Sequence, residues 1–183
     1  MINPPPLRQP CPPGACDCSR DQLLETPGAD LRILLLNAGI LGPEHQDVAQ
    51  ISADEVATLF LTNAVAPTRL ARQLAHRLRT GGVIACMSSQ MGSVALARAA
   101  EMPLYGASKA ALNSLLQSWH RSSERPQACL LALHPGWVRT EMGGDQATLE
   151  IETSVAGLLS TIEAHLDADG CHFLDYQQLP LPW

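Results

Sequence analysis

Three short apolar runs, each closed by a turn and separated by enough chain for a helix, constrain this sequence more than any other feature. Leu31 to Leu36 is closed by Asn37-Ala38-Gly39, Val83 to Met87 by Ser88-Ser89, and Ala128 to Leu133 by His134-Pro135-Gly136. Continuous apolar runs of this length read as strands covered on both faces, the pattern of a parallel sheet. From Ser52 to Arg79 apolar residues recur at helical spacing (Val56, Leu59, Phe60, Val65, Leu70, Leu74, Leu78), opened by the capping-box pair Ser52 and Glu55 and closed at Gly81-Gly82. Tyr105 to His120 and Ser154 to Leu166 read as two further helices, and Cys171 to Tyr176 as a last strand. This alternation predicts an α/β fold, a mainly parallel sheet with helices crossing over it through right-handed connections.

The chain has 183 residues, 46% of them hydrophobic and 16% charged, enough for one core in a single domain spanning 14–183. Residues 1–13 carry Pro4, Pro5, Pro6, Pro10, Pro12 and Pro13 and read as a flexible arm, since proline supports neither a helix interior nor a central strand. A formal net charge of −6 offers no basic surface for nucleic acid. No apolar run approaches the roughly 20 residues of a membrane span, and the Pro-rich start has no secretory h-region, so a cytoplasmic location is expected. Cys11, Cys16 and Cys18 cluster without a second Cys/His pair at ligand spacing, so no metal site is assigned.

Ligands on parallel sheets bind beyond the carboxyl ends of the strands, where the three closing turns concentrate polar residues. Tyr105 and Lys109 are four apart on one helix and therefore neighbours on one face. An ammonium beside a phenol favours phenolate and lowers the tyrosine pKa from about 10 toward values useful for general acid/base work. A hydroxyl at a strand end, Ser88 or Ser89, can hydrogen-bond a carbonyl oxygen as it gains charge. Each feature has a structural alternative. Tyr-x-x-x-Lys can be a solvated helix face, serines after strands can cap turns, Asn37-Ala38-Gly39 can merely end a strand, and Asn63 can be a polar helix residue satisfied by backbone.

The order of these features is more specific than any one of them. A strand ending in Asn37-Ala38-Gly39, Asn63 in the next helix, Ser88-Ser89-x-x-Gly92, Tyr105-x-x-Ser108-Lys109 and Pro135-Gly136-x-Val138-x-Thr140 together resemble the short-chain dehydrogenase/reductase family from about Asp17 onward. His134 to Gly144 and the ending Phe173-Leu174-Asp175-Tyr176 with Leu181-Pro182-Trp183 resemble its C-factor-like branch. The resemblance implies a Rossmann-like sheet and hydride transfer between NADP or NAD and a carbonyl or alcohol. It makes Tyr105 the general acid/base, Lys109 the group that lowers its pKa and holds the nicotinamide ribose, Ser89 the carbonyl-orienting hydroxyl, and Asn63 a support for Lys109 through water. It places Asp17, Asn37, Ala38 and Gly39 along the adenosine half of the cofactor and Pro135, Gly136, Val138 and Thr140 beside the nicotinamide. It also implies a homo-oligomer through the Tyr105–His120 helix. Ser89 lies sixteen residues before Tyr105, a spacing longer than the usual one in the family, which implies a reshaped substrate pocket.

One family element has no counterpart. The 183 residues contain no Gly-x-x-x-Gly-x-Gly turn, whose amides approach a pyrophosphate at a helix N-terminus. The chain therefore reads as an N-terminally truncated form with weakened cofactor binding and an uncovered sheet edge, either from a misplaced start or as a genuine short form. Two other functions follow from the same residues: a signalling or interaction protein built on the truncated fold, which would not need Tyr105, and a cofactor-free hydrolase using Ser89 as nucleophile. No Gly-x-Ser-x-Gly elbow surrounds either serine, which counts against the hydrolase.

Overall fold

The computed structural model describes residues 31–183; the Pro-rich arm, Asp17 and Cys11, Cys16 and Cys18 lie outside the described residues. Four strands, β1 (Leu31–Leu36), β2 (Leu78–Met87), β3 (Ala128–His134) and β4 (Cys171–Asp175), form one sheet in the order β1-β2-β3-β4. All three pairings are parallel, and Met87 stands opposite Leu133 as His134 stands opposite Asp175, so the carboxyl ends of the strands line up.

Strand alternation divides the core in two. On one face Leu36, Ile84, Cys86, Leu130, Ala132 and Phe173 pack against Ala64 and Ala71 and against Leu112, Leu116 and Trp119. These partners come from the turn that joins α1 (Ala53–Phe60) to α2 (Ala66–Leu74), from α2 itself, and from α3 (Pro103–His120). On the other face Val83, Ala85, Cys129, Leu131, Leu133 and Leu174 pack against Leu158 and Ile162 of α4 (Ile151–Ala164).

This arrangement corrects the expectation of uniformly right-handed connections. The strands are parallel and in chain order, while the crossovers through α1–α2 and α3 lie on one face and the crossover through α4 on the other. A crossover moved to the opposite face of the same sheet necessarily changes hand, so the β3–β4 connection is opposite in hand to the other two. β1 departs from expectation as well. Leu36 is buried, but Ile33 and Leu35, pointing to the face that α4 covers farther along the sheet, are 38% and 44% exposed. Among the described residues β1 is a sheet edge covered on one face only.

The single helix read from Ser52 to Arg79 is in fact broken. Its start is as expected: Ser52 Oγ accepts the Glu55 N–H and the Glu55 carboxylate accepts the Ser52 N–H. A π-helical turn then occupies Leu61–Val65, with the Ala66 N–H reaching the Leu61 carbonyl. Pro67 has no N–H to offer the Asn63 carbonyl four residues back, and the hydrogen-bond ladder shifts by a residue there. α2 ends at Leu74, a 3₁₀ turn covers Ala75–Arg77, and Leu78 already belongs to β2. Gly81-Gly82 therefore lies inside the strand as an irregularity: the register jumps from Leu31 opposite Leu78 to Ile33 opposite Val83, and Gly81 takes φ 78, which a side chain would resist.

Candidate active site

The site is built where the carboxyl ends of β1, β2 and β3 meet the first turns of α3. Pro103 occupies the first position of α3, where its missing N–H costs nothing, and this sets Tyr105 and Lys109 on the inner side of the helix. Neither is a solvated helix residue: Tyr105 is 9% and Lys109 3% exposed. The Lys109 ammonium donates to the Met87 carbonyl at 2.9 Å and lies 5.7 Å from the centroid of the Tyr105 ring. Burial pulls Lys109 from 10.5 down to about 8, and the proximity of Cys86 only partly opposes this.

Tyr105 differs from the sequence expectation. Its phenol is pushed above its ordinary value of 10.0 by burial, with a hydrogen bond to Ser89 pulling the other way. The cation four residues on donates to the Met87 carbonyl, and burial is the largest influence on the phenol, so desolvation wins in the chain by itself.

The serine pair separates into two roles. Ser88 Oγ donates to Asn113 Oδ1 at 2.7 Å in the buried interface between β2 and α3, and Asn113 Nδ2 in turn donates to the Gly92 carbonyl. Ser89 caps a 3₁₀ turn, Gln90–Gly92, its Oγ accepting the Met91 N–H at 3.2 Å, and it reaches the Tyr105 phenol. Gly92 is required for this approach, because a Cβ there would lie 2.8 Å from the backbone carbon of Lys109.

Asn63 is fully buried in the π-helical turn. Its Oδ1 accepts the Ile40 N–H at 2.8 Å, and its Nδ2 donates to the Ile40 carbonyl at 2.7 Å and to Ser108 Oγ at 2.9 Å. The side chain thus ties the loop after β1 to α3. Gly39 lies where a Cβ would meet Lys109 Nζ at 3.1 Å and Asn63 Oδ1 at 3.4 Å, so this glycine lies against Lys109, while Asn37 and Ala38 before it are exposed. Pro135 and Gly136 close β3 at the same end of the sheet; Gly136 takes φ 85 and the Pro135 carbonyl accepts Ser154 Oγ at 2.7 Å. Val138 bridges to Leu149, and exposed Thr140 accepts the Gly143 N–H at 3.1 Å; neither hydrogen-bonds the Tyr105–Lys109 group.

Sequence reading missed Gln46, Ser108 and Asn113. Ser108 donates to the Tyr105 carbonyl at 2.7 Å, and Gln46 Oε1 accepts the Tyr105 N–H at 3.1 Å. Ser108 sat within a motif that drew attention to its neighbours, whereas nothing local marks Gln46. Among the described residues no group of three His, Cys, Asp or Glu could hold a metal ion, and no helix is long and apolar enough to cross a membrane.

Residues 21–150 match the family described as short chain dehydrogenase. The chain is 34% identical over 153 residues to C-signal of Myxococcus xanthus, covering 82% of this chain and 92% of that protein, in keeping with the C-factor-like branch. A carbonyl reductase from Pseudomonas aeruginosa PAO1, solved in complex with NADP, superimposes with a TM-score of 0.83 at 54% identity, covering 93% of this chain and 74% of that one. NADPH-bound carbonyl reductase from chicken fatty liver superimposes with a TM-score of 0.74 at 26% identity, covering 91% of this chain and 70% of that one. With a family match over more than half its length, a Rossmann-like α/β fold and the ordered motifs at one end of its sheet, the chain belongs to the short-chain dehydrogenase/reductase family of oxidoreductases.

Proposed function

We propose that this chain is a nicotinamide-dependent carbonyl reductase or alcohol dehydrogenase, with Tyr105 as general acid/base. The observation that carries the reading is the buried Tyr105–Lys109 pair with Ser89 against the phenol, at the carboxyl ends of parallel strands. NADP is favoured over NAD by the complexes of the similar carbonyl reductases.

The residues fit the nicotinamide ribose half of such a cofactor. The open backbone at Gly39 lies against Lys109 Nζ, a cradle that any Cβ would crowd. Lys109 and Tyr105 would hold the ribose, Asn37, Ala38 and Gly39 would border the adenosine side, Pro135, Gly136, Val138 and Thr140 the nicotinamide, and Asp17 the adenine. The bound cofactor supplies or accepts the hydride. Ser89 would orient the substrate carbonyl by donating to its oxygen, and Tyr105 would pass its phenolic proton to that oxygen as negative charge develops. Lys109, still mainly cationic at neutral pH with its pKa near 8, would stabilise the resulting phenolate. Asn63 would act on this group by fixing Ser108 and the Ile40 loop. Exposed Leu61 and Leu115, on the helical layer beside the site, support self-association, which sedimentation checks.

A second reading, an interaction protein, draws on the similarity to C-signal and on the exposed Ile33 and Leu35 of β1. The hydrolase reading gains nothing, because among the described residues Ser89 is partnered by the Met91 N–H and the Tyr105 phenol, with no imidazole or carboxylate beside it. Titration of the purified chain with NADPH and NADH, followed by cofactor fluorescence, tests the choice. Saturable binding weakened by Lys109→Ala, with carbonyl reduction abolished by Tyr105→Phe, is the expected result. A folded chain that binds neither cofactor at millimolar concentration would overturn it in favour of the interaction protein.

A further inference from the structure

We propose that Gln46 is a positioning residue for Tyr105, a remote cap that fixes the first turn of α3 to the loop following β1. The inference rests on the reading of Tyr105 given above and adds a residue to its machinery.

The first N–H groups of a helix have no partner within the helix, and a side chain at the N-cap usually supplies one. In α3 the N-cap is Met102, which makes no such bond. The Tyr105 N–H is satisfied instead by Gln46 Oε1, 59 residues upstream, at 3.1 Å. The rest of the Gln46 amide faces the other way: Nε2 donates to the Leu41 carbonyl at 3.0 Å and to the Pro43 carbonyl at 2.9 Å. Two carbonyls on one side and an N–H on the other fix which end of the amide is oxygen, so the side chain fits in one orientation only. Its environment fits a built feature, since Gln46 is 9% exposed and its backbone takes φ 47, a conformation that a non-glycine residue resists.

The opposite end of Tyr105 is tied to the same loop by a separate route. Its carbonyl accepts Ser108 Oγ at 2.7 Å, Ser108 Oγ accepts Asn63 Nδ2 at 2.9 Å, and Asn63 grips both the N–H and the carbonyl of Ile40. The N–H and the C=O of Tyr105 are therefore both anchored to the stretch from Ile40 to Pro43, the continuation of Asn37-Ala38-Gly39. Without the Gln46 arm the first turn of α3 is free to open at its N–H side, and the phenol loses its fixed distance from Ser89 and its burial.

Tyr105 and Tyr176 are the only two tyrosines of the chain, so in a Tyr176→Phe background phenolate absorbance reports Tyr105 alone and needs neither cofactor nor turnover. Gln46→Ala removes the amide and keeps the unfavourable φ; Gln46→Gly removes the amide and suits that φ, which keeps a folded variant available. Both are expected to bring the Tyr105 midpoint down toward the ordinary 10.0, and to lower kcat for carbonyl reduction by about tenfold to a hundredfold with the KM for cofactor little changed. Folded variants with an unmoved Tyr105 midpoint would overturn the proposal and leave Gln46 a brace of its own loop. A chain inert toward NADPH would sink the functional reading while leaving the phenol titration readable.

Discussion

The Lys109 ammonium lies 5.7 Å from the centroid of the Tyr105 ring, yet its hydrogen bond goes to the Met87 carbonyl, 2.9 Å away. A cation held at 3% exposure by one carbonyl is costly to fold around, and its fall from 10.5 to about 8 expresses that cost. The folded pKa is depressed, so between pH 8 and 10.5 the unfolded chain binds a proton that the folded chain has released. The penalty is thus complete below about pH 8 and fades as pH rises to 10.5, while Tyr105, raised above 10.0 in the fold, begins to destabilise it as pH passes 10.0. Lys109→Met is expected to be more stable than the parent at neutral pH by about 1–3 kcal/mol, the gap closing in alkali, while activity is lost. Urea unfolding at a series of pH values checks this; a variant less stable than the parent at pH 7 would show that the Met87 contact outweighs desolvation.

Ser88 and Ser89 should separate cleanly. Ser88→Ala removes the 2.7 Å bond to Asn113 Oδ1 and leaves a buried acceptor unpaired, which costs about 1–3 kcal/mol of stability and should change kcat little. Ser89→Ala removes a hydroxyl that caps a short turn and meets the phenol, so kcat should fall by about 10²-fold or more with a smaller loss of stability. Denaturant midpoints and kcat measured on both variants decide it. A catalytic loss at Ser88 would reverse the roles assigned to the pair.

What could be read from the sequence was whatever local chemistry determines. Ala128 to Leu133 reads as a strand buried on both faces and is one, Ser52 and Glu55 read as a helix start and form a capping box, and the motif order picks out residues that follow the carboxyl ends of the strands. The departures needed tertiary information. The π-helical turn at Leu61–Val65 depends on Pro67 meeting a helix that still continues, and Gly81-Gly82 reads equally as a helix stop or a strand irregularity until β1 is laid beside it. The hand of the α4 crossover depends on which face Leu158 and Ile162 find, not on their spacing. The phenol of Tyr105 was expected to be lowered because the sequence shows the nearby charge and hides the burial. Gln46 was invisible because its partner is 59 residues away and its φ of 47 would draw attention only at a glycine or asparagine.

Acid should act on His134 before it reaches most carboxylates. Burial takes this imidazole from 6.5 down to about 4, Asp175 opposes the fall and Arg98 adds to it, and among the described residues the buried Nδ1 has no hydrogen-bond partner. With the folded pKa depressed, the unfolded chain takes up the proton first as pH falls from 6.5 toward 4, and stability declines across that window. His134→Asn cannot take the proton and should show a flatter decline, with the two chains diverging through the same interval. Parallel decline of both would place the acid sensitivity elsewhere, for instance at the exposed carboxylates Asp169, Asp47 and Glu55, whose pKa values are lowered chiefly by backbone hydrogen bonds.

The segment from Ser89 to Tyr105 borders the proposed substrate pocket, and the end of the chain straps it down. Ser93 Oγ donates to the Pro182 carbonyl at 2.6 Å and accepts the Leu96 N–H at 3.1 Å, while the Ala95 N–H donates to the Trp183 carbonyl at 3.2 Å. Trp183 is itself anchored on the core, its ring centroid 5.4 Å from that of Phe173, and the Leu181 N–H bonds the Phe173 carbonyl at 2.8 Å. Trp183→Ala should therefore cost about 2 kcal/mol through lost aromatic packing, and should loosen the segment beyond Ser93 by more than it weakens the whole fold. Arg98 is exposed within that segment, so trypsin reads the local opening directly. Cleavage after Arg98 is expected to speed up in Trp183→Ala under conditions where the rest of the chain stays intact. An unchanged cleavage rate with lowered global stability would mean that the 3₁₀ turn and α3 hold the segment by themselves, and that the Trp183 anchor serves the core alone.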